Sequence, residues 1–404
     1  MTFDANMRPK LRPVEAIPVP DADPGMVALH DPSGLSPTSL TVSEAALFVL
    51  SYFDGQHTLQ QIADEFGRQF GKAVRVEQLE DIVSHVRQAC LLDDESFEAH
   101  YQRLTDEYTG GPARVMQSTT ALGIDKNIGR IFNALMNDVP DADGDANIVG
   151  LVAPHLDYPR GAPCYATAYA QLRNRPVPER VVILGTNHFG RSSSVAVTGK
   201  DFQTPLGTTR TDVEFIEQLE SCCGDLRRFE FDHQREHSVE LQVLWCQHLF
   251  GPERFTMVPV LCPDPCGPTG TRPHDGNGVD LHDFAKALCE CIRLDGKDTL
   301  LIAGADLSHV GAHFGDDRRL DEEFLPEVRE RDHRVLGVLE AQGPEAFLAC
   351  VAKENNPTRI CSAGCLFTLV AALPDAKTRM LKYHQAVHDE SQTGVTCAAV
   401  VVTK

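Results

Sequence analysis

Short apolar runs alternate with amphipathic segments from residue 146 to the end of the chain. Runs of four to eight residues are typical of buried strands, and apolar positions at helical spacing between them are typical of helices that cover a sheet. This alternation predicts an α/β fold with a largely parallel central sheet flanked by helices. The predicted strands are 148–153, 181–184, 255–261, 299–303 and 395–402, and the predicted helices lie near 163–173, 211–221, 237–249, 281–293, 320–340 and 363–373.

The first hundred residues follow a different pattern. Seven prolines in residues 1–39 exclude long helices and predict an extended lead-in with hairpin or turn elements. Helical spacing of apolar residues then predicts three short helices between about 43 and 93. We therefore predict a small α-rich, winged-helix-like domain over residues 1–100. For residues 101–145 we predict a linker, at Tyr108–Pro112, and a lead-in helix. Residues 146–404 are predicted to form the α/β domain.

Charge and cysteine content narrow the class of protein. The 404 residues include 37 basic and 58 acidic side chains, a formal net charge of −21. Such a surface repels phosphate backbones and anionic lipids, which argues against nucleic-acid and membrane-surface binding. The thirteen cysteines show no compact spacing, and the first residues show neither a basic start nor an apolar segment. We therefore expect reduced thiols and a cytoplasmic location.

Polar residues follow three of the predicted strands directly. His155 follows strand 148–153, His188 follows strand 181–184, and Asp306 and His309 follow strand 299–303. Ligands of open α/β sheets bind outside the carboxyl ends of the strands, so these side chains are expected to converge. Isolated histidines often only satisfy buried carbonyls, but three independent placements at strand ends favour a site.

The segment Arg235–Glu240 opens a predicted helix and has two readings. In the first, His237 and Glu240 both face the site, because they are three residues apart on the helix. In the second, Glu240 only belongs to an acidic first turn that the helix dipole favours. His233 to His237 also fits the H-x-x-E-H zinc-protease motif. That motif needs both histidines on one helix, whereas residues 229–232 are predicted to be extended. A hydrolase is therefore a minor alternative.

Cys361 is the thiol candidate. It stands with Cys365 at the start of a predicted helix, where a thiol has a lowered pKa suited to metal binding or redox chemistry. Cys365, one turn further into an apolar helix, is predicted to be a core residue. Most other cysteines lack the paired spacing of a structural zinc site and are predicted to be small buried residues.

Residues 113–404 resemble the Memo-like family, whose fold is related to class III extradiol ring-cleaving dioxygenases. Five motifs in family order carry the resemblance: Ala153–Tyr158 (APHLDY), Leu184–His188 (LGTNH), Glu236–Glu240 (EHSVE), Ala305–His309 (ADLSH) and Cys361. The resemblance implies a metal site formed by His155, His188 and Cys361, with His237, Asp306 and His309 lining the same pocket.

Two departures from the family pattern bear on the substrate. Phe189 follows His188 where family members usually have a second histidine, and the residues after Cys361 differ from the usual Cys-Gly-x-x-Pro-like continuation. The proposed ligands are intact in both segments.

Residues 8–97 are similar to PqqD-like domains, small modules that present leader peptides to modifying enzymes. The likeness is carried by Leu47–Ile62. A DNA-binding winged helix is the competing interpretation, but residues 40–100 hold four basic against eleven acidic residues. Without a positive surface, DNA binding lacks its main electrostatic contribution. A peptide or protein ligand is therefore expected.

Together these observations predict one transition metal ion per chain, with Fe(II) favoured and copper or zinc possible. The expected function is that of a metal-dependent, dioxygenase-like oxidoreductase, and the resemblance implies a radical-SAM protein and an AMMECR-type protein as partners in a modification system. The alternatives are a metal- or peptide-binding partner without turnover, and a hydrolase. His309 with Asp306, and His237 with Glu240, are predicted to be acid/base pairs beside the metal.

Overall fold

The computed structural model describes residues 5–19, 25–117, 124–125, 127–141 and 147–404. The chain forms two compact units, Met1–Gly110 and Gly111–Lys404. The segment 101–145, predicted as linker and lead-in helix, is divided between them, and its residues 118–123, 126 and 142–145 lie outside the described residues.

The N-terminal unit combines a small antiparallel sheet with helices. The strands are β1 (Glu15–Pro18), β2 (Met26–His30) and β3 (Leu40–Ser43), and the helices are α1 (Glu44–Leu50), α2 (Leu59–Phe70), α3 (Val76–Gln88) and α4 (Glu95–Gly110). Thr58 caps α2 in a reciprocal capping box with Gln61, as its position before the apolar face predicts. Helix α4 continues through Tyr108–Gly110, which the glycine-rich sequence had marked as linker.

The described strands of the C-terminal unit form one mixed sheet, and the strands of the N-terminal unit do not belong to it. They are β4 (Ala113–Val115), β5 (Ile148–Ala153), β6 (Arg180–Thr186), β7 (Ala196–Val197), β8 (Asp201–Thr204), β9 (Gly207–Thr211), β10 (Thr256–Cys262), β11 (Thr299–Gly304), β12 (Asp306–Val310), β13 (Lys377–His388) and β14 (Thr393–Thr403). The order along the main path is β12-β14-β5-β11-β6-β10-β9-β8-β4, with β13 paired to β14 and β7 paired to β10.

Helices cover both faces of this sheet. They are α5 (Ile128–Met136), α6 (Tyr158–Ala170), α7 (Val213–Cys223), α8 (His237–Phe250), α9 (Leu281–Asp295), α10 (Phe324–Gln342), α11 (Pro344–Ala352) and α12 (Ala363–Ala371). Alternate residues of β6 supply the two cores: Val182 and Leu184 belong to one, Val181 and Ile183 to the other. Burial on both faces explains why the strand is apolar throughout.

The predicted α/β fold with a largely parallel central sheet is confirmed, with an antiparallel edge that the sequence pattern did not show. Strands β5, β11, β6 and β10 are mutually parallel, whereas β14 runs antiparallel to β5 and also pairs with β12 and β13. Strand β13 was missed because most of its residues are exposed or half-buried, so it has no continuous apolar run.

Two glycines let helix α8 begin directly against the sheet. A Cβ atom on Gly185 would lie 2.4 Å from Ser238 Oγ, and one on Gly304 would lie 2.6 Å from the Ser238 carbonyl oxygen. Real Cβ atoms do not approach that closely, so a larger residue at either position would displace the start of α8. The glycines thereby bring His237, the first residue of α8, to the ends of β6 and β11.

In the described residues, no helix has both the length and the apolar character needed to cross a bilayer.

We predict that the fragment Gly111–Lys404 folds without the N-terminal unit. Among the described residues, the members of its two large hydrophobic cores all lie within Gly111–Lys404, and those of the N-terminal core all lie within Met1–Gly110. Circular dichroism and thermal unfolding should show a native-like spectrum and one cooperative transition. Aggregation of the fragment on purification would contradict the prediction and show that the units stabilise one another.

Candidate metal centre

Three polar residues that follow neighbouring strands lie at one edge of the sheet. Strand β11 lies between β5 and β6 in the sheet order. His155 follows the end of β5, His188 follows the end of β6, and Asp306 follows β11 after a single residue. The convergence expected from the strand ends is therefore present.

Cys361 meets these side chains from the start of helix α12. Its Sγ lies 3.5 Å from His155 Nε2. One ligand atom each from His155, His188 and Cys361 lie within 4.8 Å of one another. His155 is buried, whereas His188 and Cys361 keep partial exposure, so the group is open on one side.

Hydrogen bonds on its far side fix the orientation of His155. Its Nδ1 lies 2.9 Å from the Gly304 carbonyl oxygen, which acts as the acceptor, so Nε2 is left facing Cys361. Asp306 accepts the His155 backbone N–H at 3.1 Å, and its other carboxylate oxygen lies 3.4 Å from His155 Nε2. Ser362 Oγ in turn accepts the Asp306 backbone N–H at 3.1 Å.

Glu236 fixes the orientation of His188, as Gly304 fixes that of His155. This carboxylate is almost fully buried and caps helix α8 by accepting the Ser238 backbone N–H at 2.9 Å. It also accepts the His188 backbone N–H at 2.9 Å and lies 3.1 Å from His188 Nδ1. The second ring nitrogen of His188 is thereby directed toward Cys361. Carboxylates and carbonyls that hold the distal nitrogen in this way are typical of metal-binding histidines.

The electrostatics favour an ionised thiol. Burial raises the pKa of Cys361, but His155 and then His188 outweigh it and hold that pKa well below its usual range. Burial lowers the pKa of His155, while Asp306 and Cys361 raise it more, to about 9. For His188, Glu236 outweighs burial and the pKa is raised. The charges at the centre therefore favour the thiolate form of Cys361 and the protonated forms of His155 and His188.

His237 lies beside the group as a neutral ring. Its ring is stacked on that of His188, with centroids 5.3 Å apart and an interplanar angle of 17°. Its Nδ1 lies 3.5 Å from Glu236. Burial lowers the pKa of His237 to about 4, against the opposing charge of Glu236. His188, Glu236 and His237 form a second metal-competent group that shares His188 with the first.

The predicted pairing of His237 with Glu240 is not present. Glu240 is fully buried and forms an ion pair with Arg114, and it accepts the Gln117 backbone N–H at 2.7 Å. Glu236 precedes the helix as its N-cap in an extended conformation and faces the centre, whereas Glu240 lies within the helix and faces Arg114 of β4. Glu240 therefore belongs to a buried structural ion pair.

His309 does not pair with Asp306 either. Its Nδ1 faces the carbonyl oxygens of Leu307 and Arg359, at 3.1 and 3.2 Å, while Asp306 faces His155. The two residues lie on the same strand, β12, which is not among the strands predicted from the sequence. His309 makes a minor electrostatic contribution to the low pKa of Cys361.

The H-x-x-E-H segment does not form a zinc-protease helix. His233 lies in the 3-10 turn Glu230–Gln234, where an extended segment was predicted, and His237 begins a separate helix. His233 is buried with Nε2 3.1 Å from the Ala196 carbonyl oxygen, and burial lowers its pKa to about 3. The two histidines therefore cannot bind one ion in the manner of that motif.

Glu236 and Ser362 were not singled out as site residues from the sequence. The signal for Glu236 was its position directly before the helix, where a carboxylate caps the first turn. Ser362 adjoins Cys361 and links it to the sheet, because its Oγ lies 3.1 Å from Thr186 Oγ1 as well as from the Asp306 N–H.

The fold and the donor group together define an α/β protein with a candidate metal centre at the carboxyl ends of its parallel strands. Comparison with known families is more specific: residues 125–401 match the Memo-like protein family. The chain belongs to this family.

Individual relatives extend the comparison. A MEMO1 family protein of Aquifex aeolicus is 25% identical over 394 residues, covering 95% of this chain and 97% of its own length. Another, of Thermus thermophilus, is 28% identical and covers 85% and 99%. A third, of Methanopyrus kandleri, is 29% identical and covers 61% and 80%. The Aquifex alignment is long enough to include most of the N-terminal unit.

We predict that Glu240→Ala destabilises the fold by about 3–5 kcal/mol, because it leaves the buried Arg114 guanidinium without its carboxylate. Urea unfolding followed by circular dichroism measures the change. The matched control is Glu253→Ala, at an exposed glutamate just beyond α8, which should stay within about 0.5 kcal/mol of the parent chain. Equal stability of the two variants would show that the ion pair contributes nothing.

Proposed function

We propose that the C-terminal unit binds one transition metal ion through His155 Nε2, the corresponding nitrogen of His188, and Cys361 Sγ. The observation that carries the proposal is the orientation of two imidazoles by acceptors at their Nδ1 atoms, Gly304 for His155 and Glu236 for His188, with Cys361 Sγ facing His155 Nε2. The donor atoms already lie within 4.8 Å of one another. The residues present thus fit a metal ion without rearrangement of the backbone.

The chemistry of the donors favours a redox-active ion. Two imidazoles suit iron, copper and zinc, and a thiolate adds preference for the softer ions. Structural zinc sites are closed by four protein ligands, whereas this group supplies three and is open on one side. Fe(II) or copper is therefore the proposed occupant. When bound, such an ion would supply one-electron chemistry and activation of dioxygen at the open position.

The residues around the open side of the donor group would take part in proton transfer. His237, with a pKa lowered to about 4, is neutral at physiological pH and can accept a hydrogen bond or a proton. His309 is held by backbone carbonyls near the thiol, outside the donor group. Together with the open donor set, these two rings support a metal-dependent oxidoreductase.

The N-terminal unit would act as a recognition module for a peptide or protein. Its strand β1 exposes Ile17, and α2 exposes Phe70 beside the rings of Phe48 and Phe66, at centroid distances of 5.2 and 4.6 Å. An aromatic cluster with an exposed member supports binding of an apolar segment rather than a nucleic acid.

We predict about one iron or copper ion per chain after purification without oxygen. His155→Ala, His188→Ala and Cys361→Ala should each reduce the metal content to near zero, since each removes one of only three donors. Inductively coupled plasma mass spectrometry measures the content. Cys350→Ala, at a partly buried cysteine outside the group, is the control and should keep full content. Full metal content in His155→Ala would refute this ligand set.

We also predict that His309→Ala keeps its metal but loses dioxygen consumption, measured with an oxygen electrode and ascorbate as reductant. The reason is that backbone carbonyls hold His309 outside the donor group, where it would act on protons alone. If the metal-loaded parent chain consumes no dioxygen, a binding function without turnover replaces the oxidoreductase. If His309→Ala loses the metal, His309 is a ligand.

A further inference from the structure

A pair of cysteines outside the metal centre lies in sulfur–sulfur contact. Cys222, in the last turn of α7, and Cys291, in α9, place their Sγ atoms 3.9 Å apart. The two residues are 69 positions apart in sequence, so only the packing of α7 against α9 brings them together. Neither belongs to the donor groups described above.

The two thiols differ in access. Cys222 is exposed, whereas Cys291 is 5% exposed and belongs to the hydrophobic core. Burial, and then the contact with Cys222, raise the pKa of Cys291 to about 12. A reagent in solution therefore meets Cys222 first, and Cys291 stays a protonated thiol directly beneath it.

Cys223, the sequence neighbour of Cys222, has a different environment. Its Sγ donates to the Leu219 carbonyl oxygen of its own helix at 3.2 Å. Helix α7 ends at Cys223, and Gly224 follows with a φ of 107°. The end of a helix moves more readily than its middle, which gives Cys222 the freedom to close the remaining distance to about 2.05 Å.

We propose that Cys222 and Cys291 form a reversible disulfide when the protein meets a hydroperoxide, which makes the α7–α9 face an oxidative modification site separate from the metal centre. In the first step the distal peroxide oxygen is transferred to Cys222 Sγ, the O–O bond breaks, and the alcohol or water leaves. Cys222 becomes a sulfenic acid.

In the second step Cys291 Sγ attacks the Cys222 sulfur. The S–S bond forms, the S–O bond breaks, and the hydroxyl leaves as water with the Cys291 proton. The two thiols lose two protons and two electrons in total, and the hydroperoxide takes them up. A small-molecule dithiol reverses the change by thiol–disulfide exchange.

The experiment treats the reduced full-length protein with one equivalent of hydrogen peroxide, alkylates the remaining thiols, and maps tryptic peptides without reduction. Trypsin leaves Cys222 with Cys223 on one peptide, 211–227, and Cys289 with Cys291 on another, 287–293. The wild-type chain should yield these two peptides cross-linked, and dithiothreitol should release them.

Four variants assign the cross-link within the two peptides. Cys223→Ser and Cys289→Ser are the matched controls and should keep the wild-type yield. Cys222→Ser and Cys291→Ser should reduce it at least tenfold, and Cys291→Ser should accumulate a Cys222 sulfenic acid that dimedone traps. Circular dichroism verifies the fold of each variant, and the exposed Cys222→Ser decides the question if Cys291→Ser is unstable.

A cross-link that survives Cys222→Ser or Cys291→Ser would overturn the assignment. So would a wild-type chain in which Cys222 reacts with dimedone and no cross-link forms, because Cys291 would then not reach it. Because Cys361 of the metal centre is also a reactive thiol, the peptide map is repeated with Cys361→Ser, in which the Cys222–Cys291 cross-link should still form.

Discussion

The carboxylates of Asp306 and Glu236 are each only 1% exposed, and the imidazoles of His155 and His188 lie against them. Removing a carboxylate from water costs several kcal/mol unless an opposite charge and hydrogen bonds compensate it. Each carboxylate has both, since each also accepts a backbone N–H. The cost of leaving either charge uncompensated holds the rings in place, and the rings in turn stabilise the Cys361 thiolate.

This arrangement depends on close packing between the sheet and two helix starts. Gly185 and Gly304 leave room for the first turn of α8, whose cap is Glu236. Gly364 does the same for α12, since a Cβ there would lie 2.3 Å from the Pro263 carbonyl oxygen. Both helices therefore begin at the strand ends, where their partial positive charge favours a carboxylate and a thiolate.

Buried charge serves two different purposes in this chain. Glu240 with Arg114, and Arg180 with Asp212 at 2.9 Å, are closed ion pairs inside the C-terminal unit that join distant segments. Glu236 instead holds Nδ1 of His188, so that the other nitrogen of this ring faces a partly exposed space shared with His155 and Cys361. Pairing within the protein stabilises the fold, whereas pairing that leaves donor atoms free prepares a binding site. The match to the Memo-like family covers the segments that form the donor group, whereas Arg114 lies before the matched residues.

Much of the fold and part of the centre could be predicted from local patterns. Apolar runs identified β5, β6, β10, β11 and β14, and the positions of His155, His188 and Asp306 after three of them placed these residues at one edge, because parallel strands end together. The choice between Glu236 and Glu240 could not be made in this way. They are four residues apart, and Glu240 is taken up by Arg114, which lies 126 residues earlier in the chain. The sequence determined which residues reach the strand ends through hydrophobic periodicity, which is local. Tertiary structure alone decided which charge compensates which, because the cost of burying a charge depends on neighbours that only the folded chain brings together.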